Sequence, residues 1–383
     1  MSIFLFILCL VVLVFYVTFG LELMIGNRTI KFLKDIPRYQ AINPPKVSIV
    51  IAARNEESTI EAALQSVLLQ DYENFDVLVV NDRSTDLTGL VLEKMAEDFI
   101  NLRVVTIKEL PNRWLGKNYA LYSGSRQTNG KLLLFSDADV VMKPDAVSKA
   151  VNYLLTQRLD HVTCLPDQAT RSFPLRVFIT AFGFFFSLYS RPWRAHHPNR
   201  WHIGIGAFQL IRSEFYVSIG GHMPIAMRPD DDMQLGKLIK LHKGRQHLVW
   251  GKNEISVVWY NSIKELINGL MKNAFAGVNY SLFLVFASTL ALFTFCVFPF
   301  IAVFITSGYA FWMSLATLIL IAVIFWDSAK YLGLNRWYAV GFPLATILLI
   351  YIMWKAALKT LSQGGIEWRG TFYPLKDLKA NKI

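Results

Sequence analysis

The chain has 383 residues, 54% of them apolar or aromatic and only 17% charged, with a formal net charge of +11. Soluble domains run at about a quarter charged, so this balance excludes a disordered chain and an ordinary cytosolic globule and points to a membrane-associated protein. Three cysteines, with Cys9 and Cys296 inside apolar runs, exclude a disulfide framework.

Residues 3–19 form an uncharged run close to the roughly 20 residues a spanning helix needs. No positive charge precedes it and no small-x-small site follows, so residues 1–25 read as an anchor, not as a cleaved signal peptide. Arg28, Lys31, Lys34 and Arg38 come next, and the positive-inside rule predicts that they hold the following chain on the cytoplasmic side of the cell membrane.

From residue 46 to residue 280 the character changes to short β-branched runs alternating with amphipathic helical patterns. Val47–Ala52 reads as a buried strand, followed by a helix with Ser58 and Glu61 spaced as a capping box and Ile60, Leu64, Val67 and Leu68 on one face. A strand at Asp76–Val80, a helix near Leu87–Asp98, a strand at Leu102–Ile107, a helix from Lys117 and a strand at Lys131–Phe135 continue the alternation. Pro144 and Asp145 then open a helix with Val147, Val151 and Leu154 on its apolar face. This is an α/β pattern, a mostly parallel sheet covered by helices. Inside the domain, an aromatic segment at about residues 173–194 has an apolar stretch, 177–190, too short to span. It is expected to lie in the membrane interface beside the active site, against the plainer reading of a buried core helix.

Beyond residue 280, the runs 281–305, 309–326 and 337–354 are long, charge-free and apolar. About three spans are expected over 281–358, followed by a basic tail, 359–383. Four crossings in all would put that tail opposite the domain, which positive-inside disfavours, unless one stretch is re-entrant or the chain crosses differently around Pro299. The net positive charge fits flanks facing anionic lipid and gives no reason to expect a nucleic-acid partner.

Ligands of such sheets bind beyond the carboxyl ends of the strands. Those ends are unusually polar: Ala53-Arg54-Asn55-Glu56-Glu57, Asn81-Asp82-Arg83-Ser84-Thr85-Asp86 and Ser136-Asp137-Ala138-Asp139. Each cluster alone is compatible with caps and turns. Together they deliver carboxylates from separate strands to one edge. A dinucleotide fold would need a glycine-rich turn after the first strand, and neither that turn nor a Walker loop is present.

Asp137 and Asp139, one residue apart, have the spacing to direct oxygens at one hard cation. Magnesium or manganese fits, since such ions are held by a few carboxylates plus substrate phosphate oxygens and neutralise a diphosphate leaving group. Asp82 is placed to accept hydrogen bonds from a base or ribose, with Asn55 and Glu56 lining the same pocket. Lys117 either offsets phosphate charge or is a solvated helix start. Asp230, Asp231 and Asp232 fall at the start of a helix, where the dipole favours acids without any catalytic duty, although adjacent like charges also raise one pKa and suit a base. The Gly204-Ile205-Gly206-Ala207 stretch is expected to let a substrate approach the backbone. His196, His197 and His202 lack the spacing of a usual zinc site.

The series AARNEES, VVNDRSTD, LGKNYAL, FSDAD, GIGAFQLIRSEFY with GGH, and DDDMQLG resembles membrane-bound family-2 glycosyltransferases with a GT-A nucleotide-sugar domain. The closing GGIEWRGTFYPL resembles the tail of hopene-associated and carotenoid-type members, and ceramide glucosyltransferase-like members are similar. The resemblance implies nucleotide contacts at Ala53, Asn55, Glu56 and Asp82, and the Asp-x-Asp motif at Asp137 and Asp139. It also implies an acidic pair at Asp231 and Asp232, with Asp232 as general base in an inverting displacement. Processive members carry Gln-x-x-Arg-Trp after the base, whereas residues 268–277 here read Asn-Gly-Leu-Met-Lys-Asn-Ala-Phe-Ala-Gly. The expectation is therefore single-sugar transfer from a UDP-linked donor to a lipid hydroxyl at the cytoplasmic face. A processive or polyprenyl-phosphate transferase is the alternative, and a non-catalytic nucleotide-binding scaffold is the alternative of another class.

Overall fold

A computed structural model describes residues 3–170, 172–197, 201–333 and 335–382. The chain divides into two compact units. A helical unit comprises residues Met1–Thr29, Thr170–Arg191 and Trp259–Gly364, and a sheet unit comprises Ile30–Ala169, Pro192–Val258 and Gly365–Ile383.

The sheet unit is built on seven strands: β1 (Val47–Ala53), β2 (Phe75–Asp82), β3 (Leu102–Ile107), β4 (Leu132–Asp137), β5 (His161–Leu165), β6 (Gln209–Arg212) and β7 (Gln246–Trp250). Their order is β3-β2-β1-β4-β6-β5-β7. Pairings β3/β2, β2/β1, β1/β4 and β5/β7 are parallel, and only β6 runs against its neighbours. Alternation along β1 sets the two faces. Val47, Ile49, Ile51 and Ala53 enter one apolar core with the helices Ile60–Leu68 and Ala146–Thr156, while Val50 and Ala52 enter another with Leu235, Leu238 and Ile239. Each fully buried aliphatic chain contributes about 2 kcal/mol, so both faces must be covered, as an α/β sheet requires.

The expected capping box at Ser58 and Glu61 does not form. The helix starts at Ile60, and Thr59 turns its hydroxyl back to the Glu56 carbonyl and carboxylate, both at 3.3 Å. A small sheet of Val140–Met142, Ile255–Val257 and Asp167–Gln168 and a carboxy-terminal hairpin of Gly365–Trp368 and Thr371–Pro374 complete the unit.

Among the described residues, five helical segments are long and apolar enough to cross a membrane, all of them wholly or mostly in the helical unit: Ile3–Thr29, Phe173–Arg194, Leu282–Ile305, Tyr309–Tyr331 and Arg336–Gln363. The aromatic segment read as 177–190 belongs to a longer helix, Phe173–Ser190, opened by Pro174 and closed at Arg191 in a left-handed conformation. Ile3–Thr29 packs along Tyr309–Leu332, where Gly20 meets Ile324 and Arg28 forms a two-pronged ion pair with Asp327 (2.8 and 3.1 Å).

The segment Leu282–Ile305 is broken by a π-helical turn, Phe293–Val297, just ahead of Pro299. Proline has no N–H, so the carbonyl four residues before it, that of Phe295, loses its helical donor. Buried Tyr16 supplies the replacement, its hydroxyl donating to that carbonyl at 2.9 Å. Tyr16→Phe removes this donor while keeping the ring. It should lower the thermal midpoint of the detergent-solubilised protein by an amount corresponding to about 1 kcal/mol, whereas Phe15→Leu, one residue away, should not mimic the effect through a carbonyl.

Candidate active site

Register brings the polar strand ends into one row. Ala53 lies beside Asn81 and Ala52 beside Asp137, so the carboxyl ends of β2, β1 and β4 finish level with one another. The three acid-bearing loops predicted from sequence therefore share one edge of the sheet.

The first two loops interlock. Asn55, at φ 54°, accepts from the Thr85 amide at 2.8 Å, and its own amide donates to the Ser84 hydroxyl at 3.1 Å. The Glu56 amide donates to the Thr88 hydroxyl at 2.8 Å. The Asn55 carbonyl oxygen is thus engaged in shaping the edge. Ala53 is buried beneath it, and buried Asp82 is clasped by Arg83 through Nε (2.7 Å) and Nη2 (3.2 Å), with Arg54 at 3.6 Å.

The Leu115-Gly116-Lys117-Asn118 segment does three jobs in succession. A Cβ on Gly116 would fall 2.1 Å from Asp82 Oδ2, so only glycine lets the helix Gly116–Ser125 begin against that carboxylate. Lys117 sends its ammonium to Asp137 Oδ1 (2.7 Å) and Asp231 Oδ2 (3.4 Å). Burial opposes its charge, but Asp137, Asp231 and Asp232 outweigh burial and raise its pKa. Asn118 donates to the carbonyls of Ile225 (2.9 Å), Ala226 (3.2 Å) and Arg228 (3.0 Å), pinning the loop that leads into the helix Asp231–Leu241.

At the start of that helix, Asp232 accepts from the Gly206 amide at Oδ2 (3.0 Å) and from the Met233 amide at Oδ1 (2.7 Å). Burial and the neighbouring Asp231 charge push it up to about 7. Asp230 stands apart, held by Arg228 through two bonds of 2.9 Å and by Gln234. Asp139 is also pushed up to about 7, by burial and then by the charges of Asp137 and Glu56.

The small-residue stretch serves packing within the protein. A Cβ on Gly204 would lie 1.9 Å from the Asp232 carbonyl oxygen, and one on Gly236 would lie 2.2 Å from that of Ile203. Gly206 faces Asp137 and Lys117, where a Cβ would sit 2.7 Å from Asp137 Oδ2. Gly204 and Gly236 thus allow close approach of the helix that carries Asp231 and Asp232, while Gly206 lies at the candidate site.

Among the described residues, no group of three or more His, Cys, Asp or Glu is arranged to hold a metal ion by itself. His196 and His197 stack on one another, with ring centroids 4.4 Å apart. Asp137 and Asp139 are a hard two-carboxylate set. Such a set fits magnesium or manganese, which complete their shell with water and phosphate oxygens, and does not fit a four-ligand zinc site.

Residues 48–219 match the family described as Glycosyl transferase family 2. An uncharacterised glycosyltransferase of Haemophilus influenzae is 36% identical over 123 residues, 32% of this chain and 36% of that protein. The 4,4'-diaponeurosporenoate glycosyltransferase of Staphylococcus haemolyticus is 34% identical over 105 residues, 27% of each chain. These alignments span well under half of the relatives' own lengths. Among solved structures, a mannosyltransferase of Pyrobaculum calidifontis in complex with GDP-Man and Mn2+ is similar in fold. Its TM-score is 0.55 at 18% identity, covering 93% of this chain and 98% of that one. Asp231 and Asp232 lie beyond the matched residues.

Gly204→Ala should cost about 2 kcal/mol by driving a methyl group into helical backbone. A lowered thermal midpoint, with Gly277→Ala as a milder control, checks this; equal midpoints would show that the helix carrying the acids has room to move. Residues 48–219 are thus similar to family-2 glycosyltransferase domains, on a sheet that shares its fold with that of the mannosyltransferase.

Proposed function

We propose that the protein is an inverting glycosyltransferase that moves one sugar from a nucleotide-sugar to a lipid hydroxyl. The observation that carries this reading is the gathering of Asp137, Asp231 and Asp232 about the Lys117 ammonium at the edge where Asp82 and Asp139 also end. In the proposed step, the acceptor oxygen attacks the anomeric carbon and the bond from that carbon to the phosphate oxygen breaks. The electron pair leaves with the nucleoside diphosphate, and the acceptor proton passes to Asp232.

Asp232 suits that duty because its carboxylate is oriented by two backbone amides and is more basic than an exposed aspartate, near the neutral value a general base needs. Asp231 holds Lys117, which in turn faces the phosphates. Ala53, Asn55, Glu56 and Asp82 form the nucleoside side of the pocket, with Asp82 buried under Arg83 and Arg54. Asp137 and Asp139 would hold magnesium or manganese, which when bound neutralises the diphosphate.

A lipid acceptor is supported by the apolar helices and by relatives named for 4,4'-diaponeurosporenoate. A nucleotide-sugar donor with a divalent cation is supported by the GDP-Man and Mn2+ of the mannosyltransferase. UDP remains our proposed carrier.

Asp232→Asn should abolish transfer, by at least about a hundredfold, while leaving nucleotide affinity nearly unchanged. Asp139→Ala should instead remove the manganese dependence of nucleotide binding. The pair is read by transfer of labelled sugar in membranes and by titration of UDP and GDP with and without chelator. Lost nucleotide binding in Asp232→Asn would sink the base assignment, and a ladder of product sizes would replace single transfer with a processive reaction.

Sidedness follows from chain path. The chain leaves the sheet unit after Ala169 and returns by Pro192, then leaves after Val258 and returns at Gly365. A water-soluble unit lies on one face of a bilayer, so each excursion makes an even number of crossings. On this reading Phe173–Ser190 lies in the interface without crossing, and two of the three later long helices cross. The basic tail then lies with the domain, on the cytoplasmic side that Arg28, Lys31, Lys34 and Arg38 favour. Single cysteines at Ala380 and Ser58, in a background with the native cysteines replaced, should be labelled by an impermeant reagent from the same side. Labelling from opposite sides would refute the even count.

A further inference from the structure

The carboxy-terminal hairpin lies against the first two acid-bearing loops. Gly365–Trp368 pairs antiparallel with Thr371–Pro374 through the two-residue turn Arg369-Gly370, both at positive φ (47° and 73°). Two positive φ values are those of the tight turn that twists with its strands, and asparagine or glycine fills its first position at lower cost than arginine does. From this turn the Arg369 guanidinium reaches two separate acceptors. Nη1 donates to the Arg54 carbonyl, and Nη2 donates to Glu56 Oε1 at 2.5 Å, across 313 residues of sequence. Buried Tyr373, on the second strand, places its hydroxyl 3.4 Å from the Gly116 amide and beside the Arg83 guanidinium. Asn381 secures the far end, accepting from the Met227 amide at 2.8 Å and donating to the Pro224 carbonyl at 2.8 Å.

These hydrogen bonds of the tail thus fall on segments that form the candidate nucleotide pocket or lead into the acidic pair. We propose that the hairpin 365–374 is a working part of the donor site, with Arg369 as the positioning residue that fixes Glu56 and the end of β1 for nucleotide binding. This rests on the nucleotide-sugar reading above and assigns to the carboxy terminus a role in substrate affinity. The geometry requires an arginine. A planar guanidinium spans a carbonyl and a carboxylate with different nitrogens, which an ammonium at the end of a lysine stem cannot do with the same geometry. Its charge also offsets that of Glu56, with which it pairs at 2.5 Å. Tyr373 keeps the hairpin seated against the helix start that carries Lys117.

The test uses the full-length protein in nanodiscs, titrated with UDP and with GDP in the presence of Mn2+, alongside sugar-transfer kinetics. Arg369→Ala should weaken nucleoside diphosphate binding, and raise the donor KM, by about tenfold, with kcat little changed and the thermal midpoint retained. Arg369→Lys should recover only part of the loss. Glu56→Ala should add little in the Arg369→Ala background, because the two side chains act as one unit. Wild-type affinity in Arg369→Ala, full recovery with lysine, or additive losses with Glu56→Ala would each overturn the proposal. If the wild-type protein itself binds neither nucleotide, the nucleotide-sugar reading fails and the hairpin's role fails with it. If the wild type binds and Arg369→Ala binds equally well, only the hairpin's role is lost.

Discussion

One ammonium group holds the site together. Lys117 is the cation around which Asp137, from the end of β4, and Asp231, from the start of a distant helix, are drawn in, with Asp232 close enough to raise its pKa further. Carboxylates gathered without a cation would repel one another and lose their hydration together, a cost that burial increases. A buried lysine alone would shed its proton. Each therefore stabilises the charge of the other.

The constraint propagates outward through glycines. Lys117 can reach the acids only if its helix begins against Asp82, which Gly116 permits, and only if the helix of Asp231 lies in close against Gly204 and Gly206. Asn118 then locks the loop between them. Backbone contact at these points leaves little slack, so the relative placement of Asp137 and Asp232 is fixed by main chain and not by flexible side chains. Amide donors from Gly206 and Met233 hold the Asp232 carboxylate by the same means. On the proposed reading, such rigidity is what positions the base for proton transfer.

What could be read in the sequence was what is local. Val47–Ala53, Phe75–Asp82, Leu102–Ile107 and Leu132–Asp137 announce themselves by β-branched runs, and the acids after them follow from where such sheets bind ligands. The antiparallel β6, with β5 and β7 beyond it, was not legible, because Gln209–Arg212 is four residues long and its partners lie some fifty to eighty residues earlier. Gly204 and Gly206 carried a visible signal, small residues in a row, but not that Gly204 makes room for the helix of Asp232 and Gly206 for Asp137 and Lys117. Arg369 stands in GGIEWRGTFYPL, whose resemblance to a family tail was visible, but its contacts carried no signal, since its acceptors are more than three hundred positions earlier. Ser58 and Glu61 had the spacing of a capping box, yet Thr59 had a nearer acceptor in Glu56, and local competition decided the helix start.

The order of segments along the chain imposes a further condition. β5 precedes the apolar helix Phe173–Ser190 and β6, which pairs with it, follows; β7, which flanks β5 on the other side, comes later still. The sheet can therefore be completed only after that helix has been made and has found surroundings that accept its aromatic face. Again at the end, the hairpin that contacts Glu56 is synthesised only after Leu282–Ile305, Tyr309–Leu332 and Phe342–Gln363. A chain that failed to partition these apolar segments would leave β5 without its antiparallel partner and Glu56 without its guanidinium. The same connectivity thus completes the sheet and its hairpin only after these apolar helices have been made.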